Sequence, residues 1–233
     1  MTKDYRPLMP EERIGVIRAW HEHGYQMQRA SLPKRMSFMG LDLQIGEEVF
    51  APDSADAKGD PYHRAVEAEV KPSDRVLDMG TGSGVSGILA ARKGARVVAV
   101  DVNPNAVVCA RQNAERNGVA DRITFALGDV FDGVDGDFDL IVFDPPFRWF
   151  KPRDLLEAGS TDENYRALTR FMAEVKGRLL PNGRVLLNFG TSADIDYLYG
   201  LIRKTGMKRE QRLYGEVTSE GFTARYYIIK LTV

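Results

Sequence analysis

The chain has 233 residues, of which 43% are hydrophobic and 28% are charged, so it can build one large or two small globular domains around an ample core. This composition excludes a disordered or a fibrous protein. The 32 basic and 33 acidic side chains give a net charge of −1, which excludes a whole-molecule field that gathers nucleic acid. A local basic surface remains compatible with this balance.

Cysteine and histidine usage excludes several kinds of site. The single Cys109 rules out an internal disulfide framework and a cysteine-based zinc site, and the three histidines lack metal-ligand spacing, so we expect no metal. The amino-terminal segment has no apolar core of the signal-peptide type, and no run approaches the ~18 apolar residues of a membrane span. These features predict a cytoplasmic protein without a membrane partner.

The first 60 residues differ in pattern from the rest of the chain. Residues 11–27 predict a helix, and the alternation in SFMGLDLQIGEEVFAP, residues 37–52, predicts short strands around glycine turns. Residues 51–61 are rich in Pro, Asp, Gly and Ala and predict a loop or linker. We therefore expect an amino-terminal extension over residues 1–60 and a second unit over residues 61–233.

From residue 74 onward, strand and helix patterns alternate. The stretches RVLDM, RVVAVD, RITFAL, FDLIVF and RVLLNFG are apolar nearly throughout, which predicts parallel strands covered by helices on both faces. The link over residues 127–138 is too short for a full crossover helix. Two β-rich segments, 207–215 and 222–233, predict a closing antiparallel pair. Helices are predicted over residues 85–93, 103–117, 162–178 and 193–204.

The stretch VLDMGTGSGVSG, residues 76–87, joins a buried strand to a helix through a glycine-rich turn, an arrangement typical of nucleotide binding. Two registers fit it. Gly82, Gly84 and Gly87 form GxGxxG with Asp101 at the next strand end, as in a dinucleotide site. Gly80, Gly82 and Gly84 form GxGxG after an acid, Asp78. Tight packing of strand on helix without any ligand is a third interpretation.

The GxGxG register, in VLDMGTGSG at residues 76–84, resembles the first motif of the class I S-adenosylmethionine-dependent methyltransferases. The acid of their second strand corresponds to Asp101 in VVAVDVN, and the acid after their third strand to Asp129 in LGDVF. The resemblance covers residues 74–233. It implies S-adenosyl-L-methionine as the cofactor and a Rossmann-like α/β fold, with a seven-stranded doubly wound sheet that is mostly parallel and ends in an antiparallel hairpin.

The matching residues suit the groups of that cofactor. A carboxylate at Asp78 suits the methionine ammonium, and a carboxylate at Asp101 accepts from both ribose hydroxyls. Structural alternatives are a turn cap at Asp129 and an ion pair of Asp101 with Arg96. The predicted cofactor-binding residues are Asp78, Gly80, Gly82 and Gly84 at the turn, Asp101 at the ribose, Asp129 at the adenine amine, and Val102 and Val130 on the ring faces.

The fourth predicted strand ends in VFDPPFRW, residues 142–149, where two prolines predict a stiff turn. A subset of the family carries Asn or Asp, then Pro-Pro and an aromatic residue, at this point, and resembles methyltransferases that act on nitrogen conjugated to a π system. The resemblance predicts Asp144 and the Pro145 carbonyl as acceptors for the substrate N–H groups, and Phe147 as a stacking surface. The structural alternative is a rigid turn with Phe147 in the core.

The sequence does not identify the substrate. The Asp144 carboxylate accepts hydrogen bonds but cannot donate one to an amide oxygen. This weakens the hypothesis of a glutamine substrate and favours a base or another amine. Residues 41–56 are similar to a segment of the release-factor glutamine methyltransferases, so Phe50 and Pro52 either line a substrate entrance on a substrate-side extension or belong to a hairpin that closes the sheet edge. A basic and aromatic cluster near the turn fits nucleic acid or is a solvated face: Arg148, Lys151, Arg153, Arg166 and Arg170 with Trp149, Phe150 and Tyr165.

We therefore expect an N-methyltransferase that acts on a planar amine or amide nitrogen of a macromolecule, either nucleic acid or protein. A small-molecule N-methyltransferase is the first alternative. An NAD-binding oxidoreductase in the GxGxxG register and a non-catalytic cofactor-binding subunit are the others.

Overall fold

The computed structural model describes residues 5–52, 61–219 and 222–233. Most of the predicted loop over residues 51–61 lies outside this part of the chain. Within it, no helix combines the length and apolar character needed to cross a membrane. The helices are α1 (Glu11–Ser31), α2 (Pro61–Glu69), α3 (Val85–Arg92), α4 (Pro104–Arg116), α5 (Leu155–Ala158), α6 (Arg166–Glu174) and α7 (Ile195–Thr205).

Nine strands form two sheets in the described residues, a hairpin of β1 and β2 and a seven-stranded sheet with the order β5-β4-β3-β6-β7-β9-β8. Neighbours from β5 to β7 are parallel, and β9 pairs antiparallel with β7 and β8. This confirms the predicted Rossmann-like sheet with its closing hairpin. The strands are β1 (Lys34–Phe38), β2 (Leu41–Ile45), β3 (Arg75–Met79), β4 (Arg96–Asp101), β5 (Ile123–Leu127), β6 (Phe138–Phe143), β7 (Leu179–Gly190), β8 (Lys208–Ser219) and β9 (Phe222–Thr232).

The central strands are buried on both faces, as their continuous apolar runs predict. Successive residues of β3 alternate between two cores, since Val76 packs in one cluster and Leu77 in the other, and Leu140 and Ile141 of β6 alternate in the same way. The strand order reverses between β3 and β6, because β4 and β5 lie on one side of β3 and β6 on the other. In such sheets, the carboxyl ends of the strands at this reversal form the ligand crevice.

The helix predicted over residues 162–178 is shorter than expected. Asn164 and Tyr165 have φ values of 57° and 51°, which interrupt the right-handed helix, so α6 begins at Arg166. Helices α2 and α5 were not predicted. The predicted helices over residues 85–93 and 103–117 are confirmed by α3 and α4, and Asn103 caps α4 by accepting the Asn105 N–H.

The amino-terminal extension contributes to the cores of the rest of the chain. Ile17 of α1 belongs to one apolar cluster and Leu43 of β2 to the other. Hairpin β1–β2 packs on α4, where the Gln44 N–H donates to Asn113 Oδ1 at 2.8 Å. It does not pair with the seven-stranded sheet, whose edges are β5 and β8, so a hairpin that closes this sheet is the wrong interpretation. The division of the chain at residue 60 stays a prediction.

A buried ion cluster at the amino end of the sheet gives a test of the fold. Arg184 of β7 is buried and donates to Asp74 Oδ2 and to Glu69 Oε1, both at 2.7 Å. We expect Arg184→Met to lower the free energy of unfolding by about 3 kcal/mol or more, because the buried Asp74 carboxylate loses its partner. Urea titration followed by circular dichroism measures it. Arg35→Met removes an exposed arginine from its pair with Asp42 and is the matched control; equal stability of both variants would contradict the prediction.

Candidate active site

The glycine turn between β3 and α3 has a backbone that only glycine adopts readily. Gly80, Gly82 and Gly84 have φ values of +65°, +53° and +91°. A Cβ on Gly84 would lie 3.1 Å from the Ala110 Cα, so this glycine lets the turn approach α4. Among the described residues, and apart from its two chain neighbours, the nearest atom to a Cβ on Gly82 would be the Gly80 oxygen at 4.0 Å. Within the described part of the chain, Gly82 therefore leaves space beside its backbone, which is what the approach of a ligand requires.

Asp78 is buried beneath this turn, at the end of β3. Its Oδ2 accepts the Thr81 hydroxyl at 2.7 Å and the Gly87 N–H at 2.9 Å. Burial raises the pKa of Asp78 to about 6, against the opposing effect of those two hydrogen bonds. A Cβ on Gly87 would lie 3.0 Å from the same oxygen. Asp78 thus fixes the turn to the first helical turn of α3, a structural role that the motif alone did not predict.

Asp101 ends β4 and reaches across to the glycine turn. Its Oδ2 accepts the Gly82 N–H at 2.8 Å, and its Oδ1 accepts the Asn103 N–H at 2.9 Å. The carboxylate therefore bonds to backbone groups of the turn and of the α4 cap rather than to Arg96, which was the structural alternative. Val102, the next residue, is 58% exposed and lies at the same edge of the sheet. The structure thus brings the turn, the acid and the apolar side chain together.

Asp129 follows β5, and its carboxylate is already engaged in an ion pair. Arg166 of α6 donates to Asp129 Oδ2 at 2.6 Å, and Arg170 donates to the Asp129 carbonyl at 3.0 Å. Val130 has a φ of 55° and packs in the core beside Phe131. The Arg166 contact was not predicted. The adenine-binding roles of Asp129 and Val130 stay predictions. If Asp129 binds the adenine amine, it does so while its carboxylate is paired with Arg166.

Asp144 begins the stiff turn after β6 and is exposed. Asn188 of β7 donates its side-chain N–H to Asp144 Oδ1 at 3.0 Å, and Tyr214 of β8 donates its hydroxyl to Asn188 Oδ1 at 2.8 Å. Three elements thus orient the carboxylate. The sequence carries one signal for this network, since Asn188 is the single amide in the apolar stretch RVLLNFG, but its partners lie on other strands.

Phe147 is held through both its ring and its carbonyl. The ring lies 5.2 Å from that of Phe189 and 6.1 Å from that of Tyr226, the latter close to parallel. The Tyr165 hydroxyl donates to the Phe147 carbonyl at 2.8 Å and accepts the Asp194 N–H at 2.9 Å. Phe147 is half-buried rather than wholly in the core, so part of its surface remains accessible.

The chain after Phe147 is tied to the segment that precedes α6. The backbone N–H of Arg148 donates to the Ser160 carbonyl at 3.1 Å, and the Arg148 carbonyl accepts the Asp162 N–H at 2.7 Å. The Trp149 carbonyl accepts the backbone N–H of Asn164 at 3.0 Å. These bonds hold the proline turn rigidly at the edge of the sheet. They also account for the left-handed backbone at Asn164, because the chain must turn away from these hydrogen bonds before it enters α6.

Comparison with known proteins gives the family. The family model "Methyltransferase small domain" matches residues 41–197. The chain belongs to this family. It is also 30% identical over 203 residues to the release factor glutamine methyltransferase of Cereibacter sphaeroides, with 77% of this chain and 72% of that protein covered. Family membership favours the GxGxG register over the dinucleotide register.

A second relative and one solved structure place the family match in context. The ribosomal protein L11 methyltransferase of Pelotomaculum thermopropionicum is 36% identical over 148 residues, which cover 60% of this chain. The chain spans 41% to 42% of the length of such L11 relatives. The tRNA m1G37 methyltransferase of M. jannaschii superimposes with a TM-score of 0.62 over 86% of this chain and 56% of that chain, at 18% identity, and shows the shared fold.

The family match begins at residue 41, inside the extension, and the following segment crosses the carboxyl edge of the sheet. The Glu48 carbonyl accepts the Asn103 side-chain N–H at 2.7 Å, and the Gln28 amide of α1 exchanges two hydrogen bonds with Ala51 at 3.0 and 3.2 Å. Phe50, 40% exposed, packs against Gly159 in the loop after the proline turn. This position favours the interpretation in which Phe50 lines an entrance.

The basic residues of the predicted basic and aromatic cluster are largely engaged in ion pairs within the chain. Arg153 pairs with Glu22 and Glu157, and Arg170 pairs with Asp132 and Glu174. Trp149, Phe150 and Tyr165 are all buried. Arg153, Arg170 and the three aromatic residues thus serve internal ion pairs and packing, which favours the solvated-face alternative over a nucleic-acid surface.

The raised pKa of Asp78 predicts a pH-dependent stability. Because the folded state binds this proton up to pH about 6 and the unfolded state only up to its usual 3.8, the contribution of Asp78 to stability is fully present below pH 3.8 and is lost as the pH rises through 6. We expect the wild type to lose about 2 kcal/mol relative to Asp78→Asn between pH 4 and 7. Urea unfolding at each pH measures this. Asp121→Asn, at an exposed position, is the control, and parallel curves for wild type and Asp78→Asn would refute the assignment.

Proposed function

We propose that the chain is an S-adenosylmethionine-dependent N-methyltransferase that acts on a planar amine or amide nitrogen of a macromolecule. One observation carries this proposal. Met79 and Phe143 are paired in parallel register, so the glycine turn and the Asp-Pro-Pro-Phe turn leave adjacent strands side by side. A Cβ on Gly80 would lie 3.5 Å from the Phe143 ring. A cofactor on the first turn and an acceptor on the second therefore meet.

The residues at the glycine turn fit the proposed cofactor. Gly82 leaves the space that a ligand needs against the backbone, and the Asp101 carboxylate ends the neighbouring strand as a ribose acceptor. Exposed Val102 offers apolar surface for a ring. When bound, S-adenosylmethionine supplies an electrophilic methyl group on a sulfonium. The work of this chain is then to hold and aim the nitrogen that receives it.

The Asp-Pro-Pro-Phe turn has the chemistry for that task. An amine or amide nitrogen conjugated to a π system is a poor nucleophile, because its lone pair is delocalised. The Asp144 carboxylate and the Pro145 carbonyl can accept its N–H groups and offset the positive charge that develops on nitrogen. The two prolines fix these acceptors, since they hold φ near about −65°. Half-buried Phe147 offers a flat face on which the acceptor group stacks.

Two hydrogen-bond chains position these groups. Asn188 and Tyr214 orient Asp144, and Tyr165 orients Phe147 through its carbonyl. These residues act through the groups they hold rather than on the substrate. Pre-orientation matters because methyl transfer depends on alignment, and small displacements lower the rate strongly.

Relatives support a macromolecular acceptor. The names of the curated relatives specify protein substrates, a release factor in one case and ribosomal protein L11 in the other. The tRNA methyltransferases share the fold at 18% identity and do not separate protein from nucleic acid. A small-molecule acceptor stays the alternative.

The first test is methyl transfer itself. We expect radiolabelled S-adenosylmethionine to label nitrogen in a macromolecular pool, and Asp144→Ala to lower the rate by at least about 100-fold, because the N–H acceptor is lost. Calorimetry should show that the variant binds S-adenosylhomocysteine as the wild type does. Label on oxygen or carbon, or tight binding of NAD instead of S-adenosylhomocysteine, would refute the proposal.

A second test addresses positioning. Tyr165→Phe removes the hydroxyl that holds the Phe147 carbonyl, and we expect kcat to fall about tenfold with little change in affinity for S-adenosylhomocysteine. The matched control is Tyr197→Phe, whose ring lies 5.4 Å from that of Tyr165 and whose hydroxyl bonds to Thr169. If both variants lose kcat equally, the effect comes from packing and not from the Phe147 carbonyl.

A further inference from the structure

Residues 5–8, which precede α1, dock on the carboxylate of Asp194; we call them the 5–8 segment. Asp194 caps the start of α7 and is buried, with 2% of its surface exposed. Its Oδ2 accepts the Tyr5 hydroxyl at 2.5 Å and the Leu8 N–H at 2.6 Å, and its Oδ1 accepts the Tyr197 N–H at 3.1 Å. Two of these three donors belong to the 5–8 segment. Because a buried carboxylate that loses its donors is costly, docking of this segment is favourable.

The backbone of the same aspartate reaches the candidate acceptor site. The Asp194 N–H donates to the Tyr165 hydroxyl at 2.9 Å, and that hydroxyl donates to the Phe147 carbonyl at 2.8 Å. A hydroxyl carries one proton, so the bond from Asp194 leaves this proton free for Phe147. Three hydrogen bonds therefore connect the Tyr5 hydroxyl to the residue on which the methyl acceptor is proposed to stack.

Ring packing follows the same route as the hydrogen bonds. The Tyr5 ring lies edge-on against the rings of Tyr165 and Tyr197, with ring centres 4.9 Å and 4.8 Å away. It also lies 5.9 Å from the ring of Trp149, two residues after Phe147. Edge-to-face pairs at such distances are favourable beyond the area that they bury. Tyr5 thus contacts both the chain that follows the proline turn and the tyrosine that holds this turn.

The backbone at Tyr165 depends on such support. The φ values of Asn164 and Tyr165, 57° and 51°, lie in the left-handed region, which is costly for residues other than glycine. This conformation persists only where the surrounding structure over-determines it. The Tyr5 ring and the Asp194 N–H both contact the Tyr165 side chain and so help to hold it. Loss of these contacts would let Tyr165 relax and release the Phe147 carbonyl.

We propose that Tyr5 and Asp194 are positioning residues for methyl transfer, and that docking of the 5–8 segment fixes the Phe147 ring for its acceptor. This inference rests on the proposed function, to which it adds a part of the chain that lies before the first helix. Both residues act through Tyr165 rather than on the acceptor. Burial and the hydrogen bond to the Asp194 carboxylate raise the pKa of Tyr5, so its hydroxyl keeps the proton that it donates.

The first test is a double-variant cycle on methyl transfer to the macromolecular pool that the wild type labels. Tyr5→Phe removes the hydroxyl and keeps the ring, and we expect kcat to fall about fivefold with the KM for S-adenosylmethionine unchanged. Tyr165→Phe already breaks the link to Phe147, so adding Tyr5→Phe to it should lower kcat no further. Fold-changes that multiply in the double variant would contradict a role through Tyr165.

Two further variants keep the result specific. Tyr25→Phe, in α1, also removes a tyrosine hydroxyl that donates to a helix-capping aspartate, Asp154, and it should leave kcat unchanged. Asp194→Asn keeps a side chain that caps helices and replaces the carboxylate, so it should lower kcat as Tyr5→Phe does. Binding of S-adenosylhomocysteine, measured by calorimetry, shows that each variant is folded. An equal loss of kcat in Tyr25→Phe would overturn the inference, because the effect would then be a general loosening of the extension.

The second test needs no methyl transfer. Hydrogen–deuterium exchange of the full chain, measured by mass spectrometry, reports on the amides of Arg148 and Asp194, which donate to the Ser160 carbonyl and the Tyr165 hydroxyl. We expect Tyr5→Phe to speed their exchange about fivefold and Tyr25→Phe to leave it unchanged.

The exchange result separates this inference from the proposed function. Unchanged exchange in Tyr5→Phe would overturn the link between the 5–8 segment and the proline turn. Faster exchange in Tyr5→Phe, with no methyl transfer to any pool by the wild type, would contradict the proposed function and support the link.

Discussion

The parallel register between β3 and β6 is the constraint on which the candidate active site depends. Val76 pairs with Leu140, and the pairing runs in step to Met79 and Phe143, after which both strands end together. A glycine turn follows β3, and a proline turn follows β6. Glycine there permits a backbone that curls closely around a ligand, whereas proline fixes one that must not move. Under the proposed function these properties are not interchangeable, because the glycine turn would accommodate a ligand and the proline turn would orient an acceptor.

The extension depends on the same edge. Helix α1 lies across the ends of β7 and β9, where Arg13 donates to the Thr191 carbonyl. Its His21 bonds to buried Glu157 of α5 at 2.8 Å. The segment after β2 lies over the end of β4 through Asn103. Residues 5–52 therefore form one wall of the crevice, and their apolar side chains complete the two cores. This arrangement explains why residues with no motif of their own contribute to a site whose motifs all lie beyond residue 75.

The parts of the fold that the sequence predicts are those determined locally. Continuous apolar runs indicate buried parallel strands, and the Asn103-Pro104 pair indicates where α4 begins, because the Asn side chain caps the helix and proline needs no N–H there. The network Asp144–Asn188–Tyr214 could not be predicted, because its members are brought together by pairing among strands far apart in sequence. The break at Tyr165 has the same origin, since its left-handed backbone follows from the ladder with Trp149. The sequence left the role of the basic residues near the proline turn open for a related reason, because Glu22, which pairs with Arg153, is 131 residues away.

The charge distribution of the chain bears on how a substrate is recognised. Basic and acidic residues balance, and Arg153, Arg166, Arg170 and Arg184 are all bound to carboxylates of the same chain. A chain of this kind exerts little long-range attraction on a polyanion, so its association with one is not steered over distance. Under the proposed function, the acceptor is therefore selected by local contacts at the Asp-Pro-Pro-Phe turn rather than by the net charge of the chain. The groups that such an acceptor would meet there are the Asp144 carboxylate, which Asn188 orients, and the half-buried ring of Phe147.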